Sequence, residues 1–230
     1  MNELEIDKNI VNGFKNLSNI ISECNVVFDK GLKIKMPDRA IITLANIDIP
    51  KERFFKFEKE FKVGVNLEEF IKFFKLAKKS VGFDLEHDKF ILRIDNNDTF
   101  RILSLNLENG DLPPTDDLEF NGEFEIEYKT LKDILNKSKM VSENIEIEIG
   151  LGKVKFSCKG NNDTEYIKEI ETETKLKNEA VKSRYGLDYL INILKYDISD
   201  KIKIAFSKDY PAKISYGYFT YILAPRVEME

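Results

Sequence analysis

The sequence predicts an α+β fold made of two similar halves, and three observations carry that reading. Amphipathic helical patterns start near Asn9, Leu67, Tyr128 and Leu187, a spacing close to 60 residues. Each pattern leads into segments that alternate apolar and polar residues, as half-buried antiparallel strands do. A proline-bearing stretch without periodicity, Glu108 to Glu119 (ENGDLPPTDDLE), falls between the second and third repeats. Gly110, Pro113 and Pro114 do not fit inside a helix or central strand, so the stretch reads as a connector, or else as a long surface loop within one domain. The expected boundaries are residues 1–107, a connector at 108–119, and residues 120–230.

Taken in order, the first helix (9–22) places Ile10, Phe14, Leu17 and Ile21 on one face. Strands follow at Val26 to Phe28 and Ile41 to Ile47. The second helix (67–79) aligns Leu67, Phe70, Ile71, Phe74 and Ala77, and leads into Phe83 to Leu85 and Phe90 to Ile94. Beyond the connector, the third helix (128–140) uses Leu131, Ile134 and Leu135, with strands at Ile145 to Ile149 and Val154 to Phe156. The fourth (187–196) uses Leu187, Leu190, Ile191 and Leu194, with a strand at Ile202 to Phe206. Helices set against mostly antiparallel strands define the α+β class.

Composition narrows function by exclusion. The net charge of −5 argues against a chain coated in basic charge, so any contact with nucleic acid must be local. Cys24 and Cys158 lie too far apart in sequence for a short-spaced zinc site and read as buried free thiols. The start MNELEIDKNI has no apolar signal core, and no run is long enough for a membrane span, so a soluble intracellular protein without membrane contact is expected. His87, the single histidine, lies in a hairpin-turn sequence (EHDK), a poor base for a triad or metal centre. Glu68 and Glu69 open a helix, where the dipole favours them, and Gly150-Leu151-Gly152 reads as a hairpin turn, not a phosphate loop. No catalytic residue, metal or cofactor is expected.

Four segments in one order carry a resemblance. They are Met36 to Pro50 (MPDRAIITLANIDIP) with Val63 to Leu67 (VGVNL), Lys182 to Leu190 (KSRYGLDYL), Asp209-Tyr210-Pro211, and the ending Leu223 to Glu228 (LAPRVE). Together they are similar to the proliferating cell nuclear antigen (PCNA) family of DNA sliding clamps, in its archaeal-like form, over nearly the whole chain. The order Pro37-Asp38, the short connector and the tight turn between Tyr216 and Phe219 depart from the family pattern.

The resemblance implies three subunits closed into a ring of six domains, helices inside and sheets outside, encircling double-stranded DNA without sequence preference. Such a ring is a polymerase processivity factor and a tether for replication and repair enzymes. The partners implied are DNA polymerase, clamp loader, flap endonuclease and DNA ligase, held through short motif peptides, together with self or paralogues. The compartment would be cytoplasm and nucleoid, or nucleus. The alternatives are one subunit of a heterotrimeric or checkpoint-type clamp, and an enzyme of another kind.

Charge supports the inside assignment: the four helical segments hold ten lysines against four acids, +6, which leaves −11 elsewhere. The DNA-facing candidates are Lys15, Lys72, Lys75, Lys79, Lys129, Lys132 and Lys195. By the resemblance, a partner-peptide pocket is formed by Ile42, Leu44, Leu112, Pro113, Pro211, Ile222, Ala224 and Pro225. The subunit seam is mapped in the same way onto Phe100 to Leu107 (Ile102, Leu103, Leu105, Leu107) and about Leu176 to Arg184 (Ala180, Lys182). An unpaired apolar strand would be an aggregation liability unless another strand covers it.

Overall fold

The computed structural model describes residues 1–108, 112, 114, 115, 117–198 and 201–226. They form two compact units, 1–112 and 113–230. In unit 1 the order is β1 (Asn2–Glu5), α1 (Lys8–Ser18), β2 (Glu23–Phe28), β3 (Gly31–Pro37), β4 (Thr43–Pro50), a 3-10 turn and β5 (Phe54–Lys56). It continues with β6 (Phe61–Asn66), α2 (Leu67–Phe74), β7 (Ser80–Glu86), β8 (Lys89–Ile94) and β9 (Asp98–Leu103). Unit 2 repeats this as β10 (Gly122–Glu127), α3 (Tyr128–Lys139), β11 (Asn144–Gly150), β12 (Lys153–Lys159), a 3-10 turn, β13 (Glu165–Glu171) and β14 (Thr174–Leu176). It closes with β15 (Val181–Gly186), α4 (Leu187–Ile193), β16 (Lys201–Phe206), β17 (Ala212–Tyr216) and β18 (Phe219–Leu223).

The strand orders show the repeat directly. Unit 1 has β5-β1-β7-β8-β9 and β4-β3-β2-β6; unit 2 has β14-β10-β16-β17-β18 and β13-β12-β11-β15. Element by element these are the same two sheets, with α1 matched by α3 and α2 by α4. In each unit the pairings within these sheets are antiparallel. The α+β class therefore holds.

Local chemistry sets the helix starts. The Asp7 carboxylate accepts from Ile10 N at 2.8 Å and Asn66 Oδ1 accepts from Glu69 N at 3.0 Å, each satisfying a donor that the first turn leaves unpaired. The apolar faces then pack inward: the Phe14 ring lies 4.8 Å from Phe74, between α1 and α2.

The helix ends fall short of the sequence pattern. The second helix, expected to reach residue 79, stops at Phe74, and Ala77 lies beyond it. Leu76 N and Ala77 N turn to carbonyls three residues back, and the Asp95 carboxylate then accepts from Lys78 N, Lys79 N and Ser80 N at 2.8–3.2 Å. The first helix, expected to reach 22, ends at Ser18, where Ser18 Oγ and Asn19 Nδ2 both donate to Lys15 O. The strand expected from Ile41 begins at Thr43 instead, because Ile41 sits in a turn with φ +56°. A seven-residue strand, β13, was absent from the sequence pattern altogether.

Candidate functional site

Three surfaces bear on function. On α2 and just beyond it, Lys72, Lys75, Lys78 and Lys79 are exposed, although only Lys72 lies within the helix. Lys72 stands 4.0 Å from Glu68, while Lys75, Lys78, Lys79 and Lys129 make no ion pair among the described residues. Lys15 is half-buried with its Nζ 3.4 Å from Asn12 Oδ1. Lys132 is tied down: its ammonium donates to the Tyr128 hydroxyl at 2.9 Å and to Lys195 O at 3.1 Å. Lys195 is exposed, with Nζ 5.9 Å from the Tyr196 ring centre.

The remaining helix-face lysines are partly neutralised. Lys137 meets Asp133 at 2.6 Å, and Lys139 meets Glu143 and, at 2.9 Å, Asp188. The hydrogen bonds that these ammonium groups donate to the carboxylates hold both above the usual lysine range. Among the described residues, the helix-face lysines without an ion pair thus lie at the end of α2 in unit 1 and at the start of α3 and beyond α4 in unit 2, a narrower set than the sequence count implied.

The second surface involves the residues assigned to peptide binding. In unit 1, Ile42 is half-buried and its N–H donates to Asp38 Oδ1 at 2.7 Å, whereas Leu44 is only 3% exposed. Leu112 is exposed, and Pro113 lies outside the described residues. In unit 2, Pro211, Ile222, Ala224 and Pro225 are all half-buried at the β17–β18 end. Ile222 alternates with the buried Tyr221 and Leu223, so it points to the opposite face from the core. The chain after β18 is pinned by Arg226 N donating to Arg184 O at 2.7 Å. Tyr185 donates its hydroxyl to Tyr210 O at 2.8 Å, fixing the residue before Pro211.

The third surface is the strand edges. β9 is outermost in its sheet, and Leu103 is 55% exposed while Ile102 is 4% exposed. The expected strand 100–107 is cut short, however. Ser104 N and Oγ both donate to Asp88 O, and Leu105 then bridges Gly64 on β6. A Cβ on Gly64 would lie 2.4 Å from Leu105 O, so only glycine allows that approach. Leu105 and Leu107 therefore pack within unit 1. The expected partner segment, 176–184, is not one strand but the end of β14, a bend, and the start of β15. Ala180 is exposed ahead of β15, and Lys182 on β15 meets Glu146 at 3.2 Å. The outermost strand on the other side of that sheet is β13, with Ile167 51% exposed. The signal that could have found it is positional: β13 occupies the same place after its first helix as β4 does in unit 1.

Nothing catalytic gathers on these surfaces. His87 is exposed on the β7–β8 turn, and among the described residues no group of three metal-ligating side chains exists. Cys24 is buried, which pushes its thiol up to about 12, and burial also raises Cys158. Among the described residues, no helix is long and apolar enough to cross a membrane.

Comparison with known proteins fits this geometry. The family model described as "Proliferating cell nuclear antigen, C-terminal domain" matches residues 115–225. The chain is 31% identical to DNA polymerase sliding clamp 3 of Sulfurisphaera tokodaii, covering 94% of each. It is 28% identical to DNA polymerase sliding clamp 1 of Sulfolobus acidocaldarius, covering 93% of this chain and 96% of that one. Among solved structures, a chain of the PCNA2–PCNA3 complex from Sulfolobus tokodaii superposes with a TM-score of 0.84 at 27% identity, over 98% of this chain and all of that one.

Proposed function

We propose that this chain, which belongs to the proliferating cell nuclear antigen family of DNA polymerase sliding clamps, works as a ring around duplex DNA that tethers a polymerase and other DNA enzymes. It is a non-enzymatic processivity factor. The observation that carries the reading is the 31% identity, over 94% of both lengths, to a relative described as DNA polymerase sliding clamp 3, across two units of one topology.

Three supports come from the surfaces. The exposed lysines at the end of α2 and the start of α3 supply mobile positive charge without any base-reading element, which suits sequence-independent phosphate contact. The free edges of β9 and β13, with exposed Leu103 and Ile167, suit strand pairing between one copy and the next. In unit 2, Pro211, Ile222, Ala224 and Pro225 suit aliphatic and aromatic anchors of a motif peptide; in unit 1, Ile42 and Leu112 are the accessible apolar residues among those the resemblance assigns. Residues 108–119 are proposed as the connector between domains 1–107 and 120–230.

Reversing Lys75 and Lys79 to Glu should sharply reduce retention on closed circular duplex and stimulation of a polymerase, with the loss shrinking as salt rises. The control reverses Lys30 and Lys208, which are exposed and make no ion pair among the described residues. Equal loss in both pairs would overturn the assignment. A second reading, a ring of different chains, is favoured by the match to a chain of a complex between two clamps. Mass in solution decides: a self-sufficient trimer has three times the 26.8 kDa of one chain, whereas a monomer supports the mixed ring.

A further inference from the structure

Unit 2 carries a positive groove on the sheet face that points away from its core. One rung of residues runs across five strands in register: Lys175 on β14, Glu123 on β10, Ala205 on β16, Lys213 on β17 and Ile222 on β18. The groove beside this rung measures about 380 Å³ and is lined by Phe120, Leu176 and Ala205 as well as by Lys175, Lys177, Lys203 and Lys213. Its charge is unbalanced. Lys175 (3.1 Å) and Lys203 (2.8 Å) share the single carboxylate of Glu123, Lys177 meets Glu119 at 2.9 Å, and Lys213 has no ion pair among the described residues. Four cations against two acids leave +2 there, in a chain whose net charge is −5.

We propose that this groove receives an acidic peptide segment flanking the motif held at Pro211, Ile222 and Pro225, so that the chain selects partners with carboxylates beside their anchors. The proposal rests on the partner-site reading above. Lys213 lies directly opposite Ile222, close enough for one ligand to touch both. From β18 to β14 is four strand spacings, roughly 19 Å, which about six extended residues span. Peptide fits better than nucleic acid because the groove has apolar walls, and because Glu123 and Glu119 interrupt the positive charge that a continuous phosphate chain would need.

The test uses the full chain and three fluorescent peptides that share one two-aromatic motif but carry six flanking residues that are acidic, neutral or basic. At low salt the acidic flank should bind about three- to tenfold tighter than the neutral one, and the gain should fade at high salt. The gain should vanish in the double variant Lys203→Gln, Lys213→Gln, while the neutral peptide binds the variant and the wild type alike. Equal affinity for acidic and neutral flanks, or a gain that survives the double variant, overturns the proposal and leaves the partner site standing. Displacement of the acidic flank by a short duplex that leaves the neutral peptide bound assigns the groove to nucleic acid and also overturns it. Failure of all three peptides to bind removes the partner site and the proposal together.

Discussion

The two units share one topology but fill it with different aromatic chemistry. Residues 1–112 contain twelve of the 17 phenylalanines and none of the nine tyrosines; residues 113–230 contain five phenylalanines and all nine tyrosines. Unit 1 is accordingly held by ring packing, with Phe28, Phe70, Phe74, Phe83 and Phe90 in one cluster. In unit 2 phenol hydroxyls reach the end of α4: Tyr128 donates to Leu194 O at 3.0 Å and Tyr216 to Ile193 O at 2.9 Å. The fold thus requires that the sheets be covered and the helix ends satisfied, and leaves open which groups do it.

The largest break should come from the aromatic cluster. Phe83 is fully buried, with its ring 5.9 Å from Phe90 and 5.1 Å from Phe28. Phe83→Ala should destabilise unit 1 by about 3–5 kcal/mol through lost burial and a cavity. Each unit holds one buried cysteine, so thiol labelling reports the units separately. Cys24 should react at lower denaturant than Cys158 in this variant; simultaneous labelling would mean that the units unfold together.

That separation also marks what sequence reading could reach. The helix faces and hairpins were legible because periods of 3.6 and 2 are local. Helix ends were not, since α2 stops where Asp95 captures N–H groups 15 to 17 residues earlier in the chain. β13 was missed because EYIKEIE mixes charge and apolar residues on both faces, as an edge strand does. The peptide-site residues came through the resemblance, not through pattern. The basic groove needs the register of five strands drawn from separate stretches, and no local window contains it.

Asp95 offers the next contrast, since unit 1 uses a carboxylate where unit 2 uses phenols. Partial burial would raise its pKa, but three backbone N–H donors and Lys78 outweigh that and hold it below the usual carboxylate value. Asp95→Ala should cost about 1–3 kcal/mol at neutral pH. A lowered folded pKa stabilises fully above the unfolded value, about 3.9, and the contribution is lost as pH falls through the folded one. The gap between wild type and variant should therefore close in acid, as read by denaturant midpoints across pH. A gap independent of pH would show that Asp95 acts through packing.

A smaller effect is expected from Tyr216→Phe, which keeps the ring beside Phe219 and removes the hydroxyl that donates to Ile193 O and interacts with the buried Tyr221 hydroxyl. The loss should be about 1 kcal/mol and should bring forward the labelling of Cys158, not of Cys24. Unchanged stability would mean that water replaces the phenol at the helix end.

The smallest effect compares two equivalent hairpins, β3–β4 and β12–β13. The second places Asn162 and Asp163 at φ +57°, a conformation that short polar side chains tolerate. The first places Ile41 at φ +56°, where a β-branched residue is strained, and leaves it 66% exposed, so that little burial offsets the strain. Ile41→Asn should therefore stabilise unit 1 by about 0.5–1 kcal/mol, and Asn162→Ile should destabilise unit 2 by a similar amount. Denaturant midpoints followed by Cys24 and Cys158 labelling measure each change in its own unit. Ile41 stands beside Ile42, so peptide titration of the same variant adds a second reading: higher stability with weaker peptide binding would mean that the strained turn holds an apolar side chain out for a partner. Higher stability with unchanged binding would separate the strain from the partner site.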